Sequence, residues 1–409
     1  MTSEPGHRIR SLWIGTYPRP GADPGSGEGI FQVTVDAATG ALSDARRVVA
    51  LPSPSFLAVH PGGRSLYAVG ETGVGSLTVL DLSGGDMPGS DIAGRGTVSS
   101  GGSDPCHVVA TADRLWVTNY SDGVASTWPV DDDGALGAEA PVTYAHRGAG
   151  PVLERQEGPH AHFAHPVSRA AGTGEPSAET ASDVVLVADL GTDELRAHRP
   201  GVPGDAGTSA VAATFPPGTG PRHLVELPGG ALLVAGELDC RLHLLLPEPG
   251  PSDLPRYRHA DSFPITEATW GPDAAPGFPS HLTLSPDGRH VHVGVRGPDV
   301  LAVLRLERAG DSGWTLVRTG DVALGAGAWP RHHAVVGDPG AGDVVAGDAA
   351  GAAADSAGGS AGNPAAELIV VAAQNSAELL SVRIDRATGK GEVTARLPFP
   401  VPPACVLEA

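Results

Sequence analysis

The amino-acid sequence predicts an all-β protein, a seven-bladed β-propeller whose ring is closed by the C-terminal strand joining the N-terminal hairpin. Three observations carry this expectation. The 409 residues include 57 Gly and 38 Pro, far more punctuation than a helical protein tolerates, set between short apolar runs. One phrase, a proline followed by an apolar strand, a turn and a second apolar strand, recurs seven times. The two chain ends each hold the half of that phrase which the other lacks.

Taken in chain order, Leu12 to Val35 supplies a second strand and hairpin with no opening strand before it. Opening strands then begin at Pro54-Ser55-Phe56, Pro105-Cys106-His107, Pro159-His160-Ala161, Pro221-Arg222-His223, Pro279-Ser280-His281, Pro330-Arg331-His332 and Pro403-Ala404-Cys405. Second strands with their hairpins follow at Leu66 to Leu80, Leu115 to Val130, Val185 to Arg199, Leu232 to Leu246, Val291 to Leu306 and Ile369 to Ile384. Pro403 to Ala409 is an opening strand with nothing after it, so it completes the first unit and leaves no sheet edge open. Residues 1–409 are therefore one domain. Residues 170–183 and 338–366 are low-complexity Gly, Ala, Asp and Ser with too little apolar content to pack, and are expected to be flexible surface insertions between a first and a second strand.

Composition excludes several classes of function. A formal net charge of −20 disfavours nucleic acid and anionic membrane, which need clustered Lys and Arg. No apolar run approaches the length of a membrane helix, and Met1 to Arg10 is polar, so a soluble, cytoplasmic protein is expected. Cys106, Cys240 and Cys405 are odd in number and widely spaced, each within an expected strand, and predict buried free thiols. No Gly-x-Gly-x-x-Gly opens a helix, and Gly-rich strings are compositionally expected in this chain. A monomer or weak oligomer is expected.

Chemistry is expected at one mouth of the central channel. The residue after each proline forms one column there: Ser55, Cys106, His160, Arg222, Ser280, Arg331, Ala404. The second-strand ends return to the same mouth as Tyr17, Glu71, Tyr120, Leu190, Glu237, Arg296, Gln374. Arg222, Arg296 and Arg331 together suit an anion clamp that also stabilises an oxyanion, although any one of them is equally suited to an inter-blade ion pair. Glu237 follows an apolar strand, and burial is expected to raise its pKa toward the general acid–base range; its plainer role is a salt bridge to Arg222 or Arg296. His160 and His162 sit at i and i+2, but no third ligand at metal spacing accompanies them, so neither metal nor organic cofactor is expected. The repeated His107, His223, His281 and His332 are expected to pack between blades.

These residues resemble the lactonase family of seven-bladed propellers, which includes bacterial 6-phosphogluconolactonases and carboxy-cis,cis-muconate cyclases. The likeness rests on Trp13-Ile14-Gly15-Thr16-Tyr17, Gly158-Pro159-His160-Ala161-His162, Gly220-Pro221-Arg222-His223, Glu237-Leu238, Ser285-Pro286-Asp287-Gly288, Val295-Arg296-Gly297, Pro330-Arg331-His332 and Ala373-Gln374-Asn375. It implies a catalytic set of His160, Glu237, Arg222 and Arg296. The family pattern often has Asn before the Glu and before the Arg, where this chain has Gly236 and Val295. Arg331, Gln374, Asp189 and Glu71 are expected to bind substrate.

The function expected is hydrolysis of a small anionic sugar lactone, 6-phosphogluconolactone foremost, with Glu237 or His160 activating water. A carboxymuconate-type cycloisomerase using the same groups, and a non-catalytic propeller that binds an anion or a protein, are the alternatives.

Overall fold

The computed structural model describes residues 9–83, 92–167, 184–201, 207–250, 253–310, 313–337 and 366–409. Seven four-stranded antiparallel sheets stand around one axis. Blade 1 has the order Pro403–Glu408, Ile9–Thr16, Ile30–Asp36, Leu42–Val49, so the last strand of the chain is the innermost strand of the first sheet. Its register runs Leu12↔Glu408 to Gly15↔Cys405, which closes the ring as expected. The other innermost strands are Phe56–Val59, Pro105–Ala110, Ala161–Pro166, Pro221–Glu226, Phe278–Leu284 and Pro330–Val336, in blades 2 to 7. The expected insertion 170–183 lies outside the described residues. So does 338–366 except for Ala366, which instead opens the strand Ala366–Ala373.

The alternation of each strand puts apolar side chains on both sheet faces, because each face packs on a neighbouring blade. Leu233, Ala235, Leu242 and Leu244 of blade 5 thus meet Leu282, Val291, Val293 and Val295 of blade 6. Val33, Val35 and Val406 of blade 1 meet Leu368, Val370 and Leu379 of blade 7. The core is a set of inter-blade layers, and the closing strand belongs to it.

Two expectations change. Cys240 is a buried free thiol but sits in the turn Gly236–Arg241 with φ 56°, not in a strand, because the two strands are joined too tightly to include it. The repeated histidines are not between blades but on the axis. Phe56 of blade 2 lies 6.3 Å from His223 of blade 5, and His107 of blade 3 lies 5.9 Å from it, contacts between sheets that are not neighbours. Seven splayed inner strands leave an axial space, and His107, His162, His223, His281 and His332 fill it with Phe56 and Phe163.

Burial lowers the pKa of His162, His223, His281 and His333 well below the usual value, so these imidazoles are neutral. His223 and His281 share a 2.9 Å Nδ1–Nδ1 hydrogen bond that two imidazoliums could not make. The native state then binds fewer protons than the unfolded chain below about pH 6.5, and each such histidine costs up to ~1.4 kcal/mol per pH unit on acidification. Urea midpoints should be flat above about pH 7 and fall steeply below about 6.5, a dependence that equilibrium unfolding across this range would measure.

Candidate active site

In six blades the innermost strand carries a β-bulge within its first few residues, at Pro105/His107, Ala161/Phe163, Pro221/Leu224, Pro279/Leu282, Pro330/His332 and opposite Gly15/Thr16. A bulge re-aims the extra residue out of the ladder, here toward the channel mouth. That is why Cys106, Arg222 and Arg331 leave the sheet and line one small cavity with Phe56, His223, His332 and Ala404.

The second column returns to the same rim through one repeated backbone bond. Tyr17 N donates to Pro402 O, Glu71 N to Ser53 O, Tyr120 N to Asp104 O, Leu190 N to His160 O, Glu237 N to Gly220 O and Gln374 N to Trp329 O. These bonds also correct the expected register of blade 4. His160 is the counterpart of Gly220, Asp104 and Trp329, the residues before the proline. His162 takes the bulge position of Arg222 and Cys106, since Ala161 pairs with Asp189 and Phe163 with Ala188. The sequence offers Pro159 as the marker, but the bulge falls two residues later than the repeat predicts.

At the centre lies Glu237, its side chain 3% exposed. Its Oε2 meets Arg222 Nε at 2.7 Å and Arg296 Nη2 at 2.7 Å, and its Oε1 accepts from Arg155 Nη2. Burial by itself would raise this carboxyl, as expected from the sequence, but Arg296, Arg222 and Arg155 outweigh it and hold the pKa well below the usual carboxylate range. Glu237 is therefore a fixed anion, and both ion pairs named as its plainer role are made. Arg222 donates to Ser280 O, and Arg296 donates to Phe278 O at 3.1 Å and Pro279 O at 3.3 Å with its guanidinium 5.6 Å from the Trp329 ring.

Arg331 shares the cavity but pairs elsewhere: 3.3 Å to Glu71 Oε2, a bond to the Tyr17 hydroxyl, and its guanidinium 4.5 Å over the Tyr17 ring. Glu71 also accepts from Ser55 Oγ. Four guanidiniums against the carboxylates Glu237 and Glu71 leave this inner cluster formally cationic in an acidic chain.

His160 stands beside the cluster. Its ring stacks on Tyr120 at 4.4 Å, Nδ1 donates to Tyr120 O at 2.9 Å, and Nε2 faces Glu157 at 3.6 Å. Tyr120 in turn hydrogen-bonds Arg155, which links His160 to Glu237. Asp189 is fully buried: Oδ1 accepts from the amides of His160, Gly191 and Thr192 at 2.9 to 3.1 Å, and Oδ2 meets His146 Nδ1 at 2.6 Å. Burial opposes its charge, yet His146 and these amides hold its carboxyl below the usual range. It thus braces His160 and does not reach the mouth. Gln374 is half-buried at the rim, and its buried Oε1 has no hydrogen-bond partner among the described residues. Among the described residues no group of three or more His, Cys, Asp or Glu side chains is arranged to hold a metal ion.

Arg155 is the functional candidate that repeat reasoning missed. It comes from the loop between blades 3 and 4, which no column includes; the only signal is its place in Arg155-Gln156-Glu157, directly before Gly158-Pro159-His160. The glycine at 236, where the family pattern often has Asn, also has a local reason: a Cβ there would lie 2.2 Å from Asp239 Oδ1 and 3.0 Å from His243 Nε2, the space of the Asp239–His243 hydrogen bond.

The chain belongs to the lactonase family of seven-bladed β-propellers: the family model described as "Lactonase, 7-bladed beta-propeller" matches residues 11–339. A 6-phosphogluconolactonase of Bacillus subtilis (strain 168) is 28% identical over 339 residues, 82% of this chain and 86% of that one. The periplasmic gluconolactonase of Pseudomonas aeruginosa has the same fold, with a TM-score of 0.73 at 23% identity over 98% of this chain and 99% of that one. So does a protein from Lactobacillus plantarum, with a TM-score of 0.72 at 23% identity, covering 98% and 99%.

Removing one partner of a buried ion-pair network leaves the others uncompensated, typically at ~3–5 kcal/mol. Glu237→Gln should lower stability by about that amount. Millimolar phosphate should raise the Tm of the variant more than that of the wild type, because the freed arginines gain an anion to bind; differential scanning fluorimetry measures both.

Proposed function

We propose that the protein hydrolyses an anionic sugar lactone, 6-phosphogluconolactone foremost. The observation that carries this reading is the arginine cluster built on a permanently ionised Glu237 next to His160, at the channel mouth of a lactonase-family propeller. In this reading Glu237 is a counter-charge and not a base, since a carboxylate with so low a pKa accepts a proton poorly. The base is His160. With Nδ1–H committed to the Tyr120 carbonyl, Nε2 is the ring nitrogen left to take a proton, with the exposed Glu157 carboxylate 3.6 Å away.

His160 Nε2 takes a proton from water as the oxygen attacks the lactone carbonyl carbon. Guanidinium donors stabilise the oxyanion, and collapse breaks the ring C–O bond, whose oxygen takes the proton back from the imidazolium. One water is consumed and the open hydroxy acid is released. Arg331, Glu71 and Gln374 are suited to hold the sugar, and Asp189 to position His160. A cytoplasmic setting is supported by three buried cysteines, none of them in a disulfide.

A pH-stat assay of purified protein should show lactone opening well above the spontaneous rate. His160→Gln should lower kcat by about 10²–10⁴-fold and Arg296→Met by about 10²–10³-fold. Opening no faster than in buffer at several micromolar protein would sink the proposal, and turnover of carboxymuconate instead would redirect it to isomerase chemistry.

A further inference from the structure

We infer that Arg155, carried by the loop between blades 3 and 4 and aimed by Gln156, recognises a remote anionic substituent of the substrate and so determines specificity; this rests on the lactonase reading of the same mouth. The four guanidiniums at the mouth are not equivalent. Side-chain exposure is 3% for Arg222, 9% for Arg296 and 18% for Arg331, but 36% for Arg155. The first three are committed to backbone carbonyls, aromatic rings or the carboxylates Glu237 and Glu71. Among the described residues, the Arg155 guanidinium bonds to Glu237 and the Tyr120 hydroxyl alone. A guanidinium has five N–H donors in a planar fork, so its remaining donors are open to an incoming oxyanion.

The loop that carries it is built to hold it there. Gln156, next to Arg155, is fully buried: Nε2 donates to Leu190 O at 2.9 Å and Asp193 Oδ1 at 2.8 Å, and Oε1 accepts from Val152 N at 3.1 Å. Main-chain bonds from Arg155 N and Gln156 N to Val152 O tighten the turn. Gly150 is required by this packing, since a Cβ there would lie 2.3 Å from Gln156 Oε1. A buried glutamine with every described polar atom engaged is an anchor, and the residues on either side of it, Arg155 and Glu157, are the two that reach Glu237 and His160. Residue 156 thus sets where residue 155 points. An anion seated on Arg155 lies to one side of the Arg222–Glu237–Arg296 cluster, so it is a substituent away from the reacting ester.

Phosphate and carboxylate share this chemistry, and ligands separate them. Binding of 6-phosphogluconate, glucarate and gluconate would be measured by calorimetry, independently of turnover. Wild-type protein should prefer one of the two ligands with a second anionic group to gluconate by about 10- to 100-fold, the range of a charge-assisted hydrogen-bonded pair. Arg155→Gln should reduce that ratio to near unity, Arg155→Lys should keep part of it, and Gln156→Ala should lower it with Arg155 still present, a shift that mere loss of stability would not produce. Preference for 6-phosphogluconate assigns phosphate, and preference for glucarate assigns carboxylate. Equal binding of all three by wild type, or an unchanged ratio in Arg155→Gln, overturns the inference. A lost ratio in a protein that opens no lactone would leave it standing and overturn the hydrolytic reading alone.

Discussion

The site depends on one buried carboxylate. Without Glu237, Arg222 and Arg296 would be like charges within one desolvated mouth, a cost that burial magnifies because little water is present to screen them. With it, they are held by two 2.7 Å contacts to one oxygen while the other oxygen reaches a loop of a different blade. The carboxylate therefore joins blade 5, blade 6 and the loop preceding blade 4. Its lowered pKa is the energetic sign of this arrangement: desolvation pushes one way and three cations push harder the other way.

The propeller makes such convergence possible because the beginning of each inner strand and the end of its neighbour share one rim. The bulges add the decisive turn, swinging Arg222, Arg331 and Cys106 out of the ladder. Below them the axis is filled by imidazole and phenyl rings, a desolvated floor that raises the strength of every charge interaction above it. The Cys106 thiol lines the cavity above that floor, with burial as the main cause of a pKa pushed up to about 12.

Legibility differed by residue. Glu237, Arg222 and Arg296 could be placed together because each stands at a fixed offset within a repeat, and repeats translate offsets into positions on a ring. His160 was harder, since its blade carries the bulge two residues late, and it takes the Leu190 N to His160 O bond and the strand pairing to reveal that His162 holds the equivalent place. The pKa direction of Glu237 could not be read at all: an apolar strand before it announces burial, whereas the number of arginines within reach is a tertiary quantity. Asp189 lies beside the right column, yet its oxygens are spent on His146 and on the turn that carries His160.

By itself, the sequence determined the architecture, the closure of the ring by Pro403 to Ala409 and the rim on which the polar residues gather, because these follow from local periodicity and turn chemistry repeated seven times. Tertiary structure alone decided which charges meet, which histidines face the axis and that Arg155 enters from an inter-blade loop. Those outcomes depend on bulges and on a loop with no repeat period, so local pattern holds no information about where their side chains end.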